Sequence, residues 1–154
     1  MEISVDVPLD DDGYVDRECP NCERPFRWRY GPSNETAKTN VELTEYHCPY
    51  CGIQAAADQW WTREQVQHMQ ARAMAAFAPE VQHELRQAVK GLNRTEFLET
   101  KVDVSPPAPP TPLFVDDVPT TAVASPCHPD EPVKLIGKLD PSIHCLVCGR
   151  EYIV

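Results

Sequence analysis

The sequence predicts a small α+β fold in which two cysteine-rich β modules stand on either side of a helical hairpin and a proline-rich linker. The main observation is a repeated motif, because EYHCPYCG at residues 45–52 returns as SIHCLVCG at residues 142–149. Short segments of alternating apolar and polar residues flank both copies, as β-strands do. A helical period fills residues 62–92. The predicted organisation has four parts: an N-terminal cysteine module over 1–60, a helical hairpin over 61–95, a proline-rich linker over 96–124 and a C-terminal cysteine module over 125–154.

The composition bounds the function classes. The 154 residues carry a net charge of −10, and no segment is basic, which disfavours binding to nucleic-acid phosphates. The N-terminal sequence has no signal-peptide pattern, and no stretch reaches the roughly 20 apolar residues of a membrane span. Seven cysteines, an odd number with repeated Cys-x-x-Cys spacing, indicate reduced thiols that bind a metal. We therefore expect a cytoplasmic protein that does not associate with membranes.

The N-terminal module contains several short β segments. ISVDV at residues 3–7 alternates as an edge strand does, and the DDDG that follows predicts a turn. FRWRY, from Phe26 to Tyr30, alternates aromatic residues with arginine, so the aromatic side chains share one strand face and the arginines the other. We expect the aromatic face to pack in the core and the arginines to lie in solvent. The polar loop GPSNETAKTN is followed by VELTEYH, residues 41–47, which leads back into the second cysteine pair.

The helical region begins with a capping signal. Thr62 is a candidate N-cap, with Gln65 three residues later. Pro79 interrupts the pattern, which predicts either a helical hairpin or one kinked helix. The apolar stripe of the first part comprises Val66, Met69, Ala73 and Phe77.

Two further segments complete the chain. SPPAPPTP at residues 105–112 predicts an extended polyproline spacer. The C-terminal module follows, and its segments PVKLIGKL and REYIV are the predicted strands on either side of Cys145 and Cys148.

The cysteine pairs of the first module predict a metal site. Cys19 and Cys22 lie on one Cys-x-x-Cys turn, and Cys48 and Cys51 lie on another. Each turn directs two sulfurs to one point, so two facing turns place four sulfurs at the corners of a tetrahedron, the arrangement that structural zinc prefers. Gly52 suits a turn that needs a positive φ. His47, beside a complete set of thiolates, is not expected to be a ligand.

CPNC…CPYCG resembles the zinc ribbon, the small β-hairpin metal module of the rubredoxin-like group. The resemblance covers roughly residues 13–57 and implies zinc ligation by the four cysteines of this module. The sequence departs from the family pattern at Glu23, where the first turn usually has a glycine. An alternative ion is iron, since a four-cysteine ribbon of this kind also serves as an electron carrier.

The C-terminal module resembles the same family with an incomplete ligand set. HCLVCG supplies Cys145 and Cys148, whereas the opposing segment SPCHPDEP supplies only Cys127. The candidates for a fourth ligand are His128, Asp130 and His144. His128 is favoured because imidazole is a commoner ligand of structural zinc than carboxylate. The repeat argues against His144, because the equivalent His47 is not needed in the first module.

These features predict a non-enzymatic protein with two structural Zn²⁺ sites, acting as a protein-interaction adaptor. A catalytic zinc keeps an open position, which the first site lacks. The acidity of the chain favours a protein partner of basic character. The alternative function is nucleic-acid binding through the aromatic and arginine strand from Phe26 to Tyr30. The lesser alternative is an iron-bound electron carrier.

Overall fold

The computed structural model of the chain describes residues 2–29, 43–92 and 107–154. Its described elements combine short antiparallel strands with one helix, which makes the fold a small α+β fold, as predicted. Tyr30, the polar loop after it and the first part of the proline-rich linker, residues 96–106, lie outside the described residues. In chain order the elements are β1 Tyr14–Glu18, β2 Pro25–Arg29, β3 Glu45–His47, β4 Gln54–Ala56, α1 Arg63–Leu92, β5 Thr120–Val123, β6 Val133–Ile136, β7 Ser142–His144 and β8 Glu151–Ile153.

The chain divides into two compact units. The helical unit comprises Met1–Asp6 and Val66–Pro112, and the β unit comprises Val7–Gln65 and Leu113–Val154. Both cysteine modules therefore belong to the β unit. The helical unit contains the α1 residues from Val66 onward.

A four-stranded antiparallel sheet joins the two cysteine modules. Its strand order is β1-β2-β6-β5, so the pairing of β2 with β6 brings together strands from opposite ends of the chain. The sequence does not predict this pairing. β5 also lies inside the range that the sequence assigns to the linker, although its residues, TTAV, are β-branched apart from alanine and suit a strand.

The β unit is an approximate two-fold repeat. The hairpin of β1 and β2 corresponds to the hairpin of β5 and β6, and β3 with β4 corresponds to β7 with β8. The central pair of the sheet follows the same symmetry, because Arg27 lies opposite Lys134 while Phe26 and Trp28 lie opposite Leu135 and Val133. The repeated cysteine motif is thus the local sign of a repeat that includes the strands on both sides of it.

The core of the β unit is an aromatic cluster on one face of the sheet. Phe26 and Trp60 are fully buried, with ring centroids 5.9 Å apart, and Trp28 lies 6.1 Å from each of them. Leu135 and Ile143 add apolar area from the C-terminal half. The aromatic face of β2 therefore packs in the core, as expected.

The opposite face of the sheet holds buried charges, which corrects the expectation of solvated arginines. Arg27 is only 4% exposed. Its Nε donates to Asp16 Oδ1 at 2.6 Å, and its Nη1 lies 3.5 Å from Asp10 Oδ2. Lys134 Nζ donates to the same Asp10 oxygen at 2.7 Å and to Asp12 Oδ2 at 2.6 Å. The acidic turn therefore neutralises two cations that strand pairing places side by side.

The predicted capping box at the start of α1 is confirmed. Thr62 Oγ1 accepts a hydrogen bond from Gln65 N at 3.2 Å, and Gln65 Oε1 accepts one from Thr62 N at 3.0 Å. The helical hairpin predicted over residues 61–95 is wrong, because one helix, Arg63–Leu92, continues through Pro79. No helix in the described part of the chain is long and apolar enough to cross a membrane.

The segment at residues 3–7 is not a strand, although its alternation predicts one. Within the helical unit, Ser4 O instead accepts a hydrogen bond from Arg72 Nη2 at 3.0 Å. A side-chain donor thus satisfies a carbonyl that a neighbouring strand would otherwise pair. In the same unit, the Thr111 carbonyl lies 2.7 Å from His68 Nδ1.

Replacing Asp10 by asparagine should destabilise the β unit. Burial raises the pKa of Asp10, but hydrogen bonds from Lys134 and from the backbone of Tyr14 and Asp12 outweigh it and lower the pKa below the ordinary 3.8. The stabilisation from its charge is therefore present above about pH 4 and is lost as the pH falls through the lowered value. At pH 7 we expect Asp10→Asn to lower the free energy of unfolding by about 2 kcal/mol, as for hydrogen bonds to charged groups.

Urea unfolding with zinc present measures this loss. The matched control is Asp11→Asn. Asp11 is exposed and next in sequence, so its substitution makes the same charge change at the surface. We expect it to cost less than about 0.5 kcal/mol. Equal losses in the two variants would contradict the role of Asp10 between the buried cations.

Candidate metal centres

The first centre comprises Cys19, Cys22, Cys48 and Cys51. The turn between β1 and β2 carries the first pair, and the turn between β3 and β4 carries the second. All four sulfurs lie within 4.8 Å of one another. The Sγ atoms of Cys19 and Cys51 are 3.7 Å apart, and those of Cys22 and Cys48 are 3.8 Å apart. A tetrahedron with metal–sulfur bonds of about 2.3 Å has edges of about 3.8 Å, so these spacings fit a zinc ion.

The two turns of the first centre have the same hydrogen-bond pattern. Cys19 Sγ accepts from the backbone N–H groups of Asn21 and Cys22, both at 3.4 Å. Cys48 Sγ accepts from those of Tyr50 at 3.3 Å and Cys51 at 3.5 Å. These N–H donors partly neutralise the sulfur of a thiolate and hold its direction. The local sequence therefore orients the sulfurs towards one point.

Both turns end with a residue of positive φ. Gly52 has a φ of 72°, as expected. Glu23, which stands where the family pattern has glycine, has a φ of 59°. The departure at Glu23 therefore leaves the turn geometry intact and places a side chain in the left-handed region, where a non-glycine residue is strained.

The thiols of the first centre differ in acidity. Burial raises the pKa of the Cys48 thiol well above its ordinary value. Burial acts in the same direction on Cys51, but hydrogen bonds from Ile53 and Asn21 lower its pKa to about 7. Four thiolates at this spacing repel one another, so a bound cation would be needed to keep all of them ionised.

The second centre comprises Cys127, His128, Cys145 and Cys148, whose ligand atoms also lie within 4.8 Å of one another. Cys127 Sγ is 3.4 Å from Cys148 Sγ, and His128 Nδ1 is 3.5 Å from Cys145 Sγ. Cys145 and Cys148 repeat the turn that Cys48 and Cys51 make, with a φ of 73° at Gly149. The four side chains could hold one metal ion.

Ser125 explains the incomplete cysteine pattern of the second centre. Its hydroxyl accepts from His128 N at 3.0 Å, as Cys19 Sγ accepts from Cys22 N in the first centre. SPCH thus corresponds to CPNC, with Ser125 in the place of Cys19 and His128 in the place of Cys22. Ser125 is 4% exposed, and its Oγ lies 3.1 Å from Cys145 Sγ. The shared proline in second position is the sequence signal that could have shown this alignment.

All eight predicted ligand residues therefore come together in two groups of four, and their role as ligands stays a prediction. Asp130 is a candidate because it follows Cys127 by three residues, as Cys22 follows Cys19, but Ser125 and not Cys127 takes the place of Cys19. Neither Asp130 nor His144 belongs to a cluster. The described residues thus bring His128, the favoured candidate, to the other three.

His47 and His144 join the two centres, a feature that the sequence does not predict. His47 N donates to Leu146 O and His144 N donates to Pro49 O, both at 2.8 Å. Each imidazole covers the glycine of the opposite turn. A Cβ on Gly52 would lie 2.8 Å from His144 Cδ2, and a Cβ on Gly149 would lie 2.5 Å from His47 Cδ2. The turn of each centre is therefore packed against a histidine from the other half.

The aromatic residues of β2 that were candidates for stacking on nucleic-acid bases are not at the surface. Phe26 and Trp28 are buried in the core, so neither presents a ring face to solvent. Arg27 is buried in ion pairs. Arg17, opposite Phe26 on β1, has its guanidinium 4.6 Å from the Trp28 ring centroid and 4.5 Å from that of Trp61.

Comparison with protein-family models, with curated proteins and with solved structures finds no significant match. The likeness to zinc ribbons therefore remains a resemblance carried by the residues and turns described above.

Replacing Gly52 by alanine should destabilise the β unit more than a positive φ alone explains. Gly137 is the matched control, since its φ is 81° and a Cβ there meets nothing within 4 Å. We expect Gly137→Ala to cost about 1 kcal/mol from backbone strain and Gly52→Ala about 3 kcal/mol, because the methyl group also displaces the His144 ring. Urea unfolding with zinc present measures both.

His144→Ala provides the internal check on this prediction. In a chain that already lacks the imidazole, Gly52→Ala should cost about as much as Gly137→Ala. An unchanged cost would show that the His144 ring does not limit the space at Gly52.

Proposed function

We propose that this chain is a non-enzymatic zinc protein in which two structural zinc ions stabilise one β unit, and that it acts as a protein-interaction adaptor. The supporting observation is the presence of two four-donor clusters in the described residues, with seven sulfurs and one imidazole nitrogen between them. When bound, each ion would join two turns of the β unit and add stability to its small apolar core.

The donor set supports zinc as the ion. Thiolate and imidazole ligands in tetrahedral groups of four are typical of zinc, whereas magnesium and calcium prefer oxygen. The 3.7 and 3.8 Å sulfur separations in the first centre suit its bond length. Four thiolates also accept iron, so the first centre could hold iron instead, and the one imidazole of the second centre disfavours iron there.

The number of donors supports a structural role. A catalytic zinc has three protein ligands and one position for water or substrate. Each centre offers four side chains, which would leave no such position on a tetrahedral ion. His128 is the fourth donor of the second centre, so its ligation decides whether that centre is closed.

An apolar stripe on α1 supports a protein partner. Five large apolar side chains of the helical unit are each between 41% and 65% exposed. Their spacing of three, four or seven residues places them on one face of the helix. A face of this kind suits the groove or helix of another protein, and the net charge of −10 favours a partner with basic residues around its apolar contact. The stripe comprises Met74, Phe77, Val81, Leu85 and Leu92.

Native mass spectrometry of the purified chain tests the metal content. We expect two zinc ions per chain at pH 7. His128→Ala should retain one ion, because the second centre loses a ligand, while Asp130→Ala, the matched control, should retain two. One ion in the unmodified chain would contradict the second centre, and iron would contradict the structural role. Two ions in His128→Ala would assign the fourth ligand to another residue.

Affinity capture from an extract of the source cells tests the adaptor role. The zinc-loaded chain should capture a defined protein that Val81→Asp with Leu85→Asp no longer captures, because two carboxylates interrupt the apolar stripe. The control, His83→Asp with Gln87→Asp, has the same spacing on exposed positions away from the stripe and should capture it fully. Capture that depends on nucleic acid, or that both double variants share, would contradict a protein contact at this stripe.

A further inference from the structure

We propose that the two centres bind their zinc ions with positive cooperativity, because each centre's turn is the surface on which the other centre's histidine packs. The proposal rests on the function proposed above, in which both centres hold zinc. It concerns the coupling between the centres and assigns that coupling to His47 and His144.

The first step is the direct contact between the two metal-binding turns. The backbone of His47, adjacent to the ligand Cys48, donates to Leu146 O inside the Cys145 to Cys148 turn. The backbone of His144, adjacent to Cys145, donates to Pro49 O inside the opposite turn. Both hydrogen bonds are 2.8 Å long, so the contact is made twice by equivalent residues.

The second step is the packing of the two imidazole rings. Each ring lies so close to a glycine of positive φ that no Cβ fits between them. The Nδ1 atoms of His47 and His144 are buried and have no hydrogen-bond partner among the described residues. The rings are therefore held by packing on the opposite turn, and they lose that contact if the turn unfolds.

The third step links this packing to metal binding. Without an ion, no bond joins the thiols of two facing turns, and repulsion between ionised sulfurs opposes their approach. An ion in the first centre orders the turn that carries Pro49 and Gly52, and this turn then orders the strand that carries His144 and Cys145. By linkage, an ion in the second centre favours binding in the first by the same factor.

Contacts that do not involve the histidines also join the halves and could transmit the same effect. β2 pairs with β6, the Tyr50 hydroxyl donates to Pro25 O at 2.7 Å while it accepts from Ile136 N at 3.2 Å, and Lys134 pairs with Asp10. A variant that removes both imidazoles and leaves these contacts in place therefore separates the routes.

The test measures the zinc affinity of the second centre in the full chain by competition with a chromophoric chelator. The first centre is disabled by Cys48→Ser with Cys51→Ser. We expect this change to weaken zinc binding at the second centre about tenfold, within the usual range of coupling between sites. In chains that carry His47→Ala with His144→Ala, which removes both imidazole contacts, the same change should weaken it by less than about twofold.

Glu45→Ala is the matched control, since Glu45 is exposed and lies two residues before His47 on β3. It should leave the tenfold effect unchanged. The reciprocal measurement disables the second centre by Cys145→Ser with Cys148→Ser and follows the first centre, with the same double histidine variant as the uncoupling variant. This second direction keeps the proposal testable if one set of variants does not fold, which circular dichroism with zinc present would show.

Two outcomes overturn the proposal in distinguishable ways. If the unmodified chain binds no zinc, the proposed function fails and the coupling fails with it. If the chain binds two ions and the affinity of each centre is independent of the other, or if the double histidine variant and Glu45→Ala leave the same tenfold effect, only the proposed coupling through the histidines is wrong.

Discussion

The convergence of thiol and imidazole groups on two points is the constraint on which the β unit depends. Its strands are three to five residues long, and its buried apolar residues form a single small cluster. A unit of short strands around a small core gains stability from a metal or from disulfides, and the seven cysteines are free thiols. The sulfur separations in the first centre leave room for a metal ion between the turns, and that ion would supply the stabilisation that the core lacks.

The two-fold arrangement has an electrostatic consequence. It places Arg27 opposite Lys134 at the centre of the sheet, where two cations would repel each other. Asp10 contacts both, and Asp16 and Asp12 each bond one of them. The sequence alone predicts the acidic N-terminal segment only as a turn. In the structure it neutralises the two cations that strand pairing brings together. The repeat places the two cations side by side, and the acidic turn that neutralises them reaches Lys134 only in the folded sheet.

The sequence predicted those features that short segments determine. The two cysteine sets follow from Cys-x-x-Cys spacing, and the capping box of Thr62 with Gln65 follows from residues three apart. The β2–β6 pairing and the burial of Arg27 depend on residues far apart in the chain, and no local pattern carries them. An alignment on cysteine alone does not identify Ser125, because its hydroxyl stands where the first centre has the sulfur of Cys19. The contacts of His47 and His144 depend on the same distant packing.

Zinc K-edge X-ray absorption of the fully loaded chain tests the central claim most directly, because it reports the atoms bound to the metal. Two centres with these donors predict a shell dominated by sulfur at about 2.3 Å. The nitrogen contribution should be minor, because only one of the eight donors is an imidazole. A shell dominated by oxygen and nitrogen would contradict the account. So would folded, metal-free protein whose sulfurs are joined in disulfide bonds.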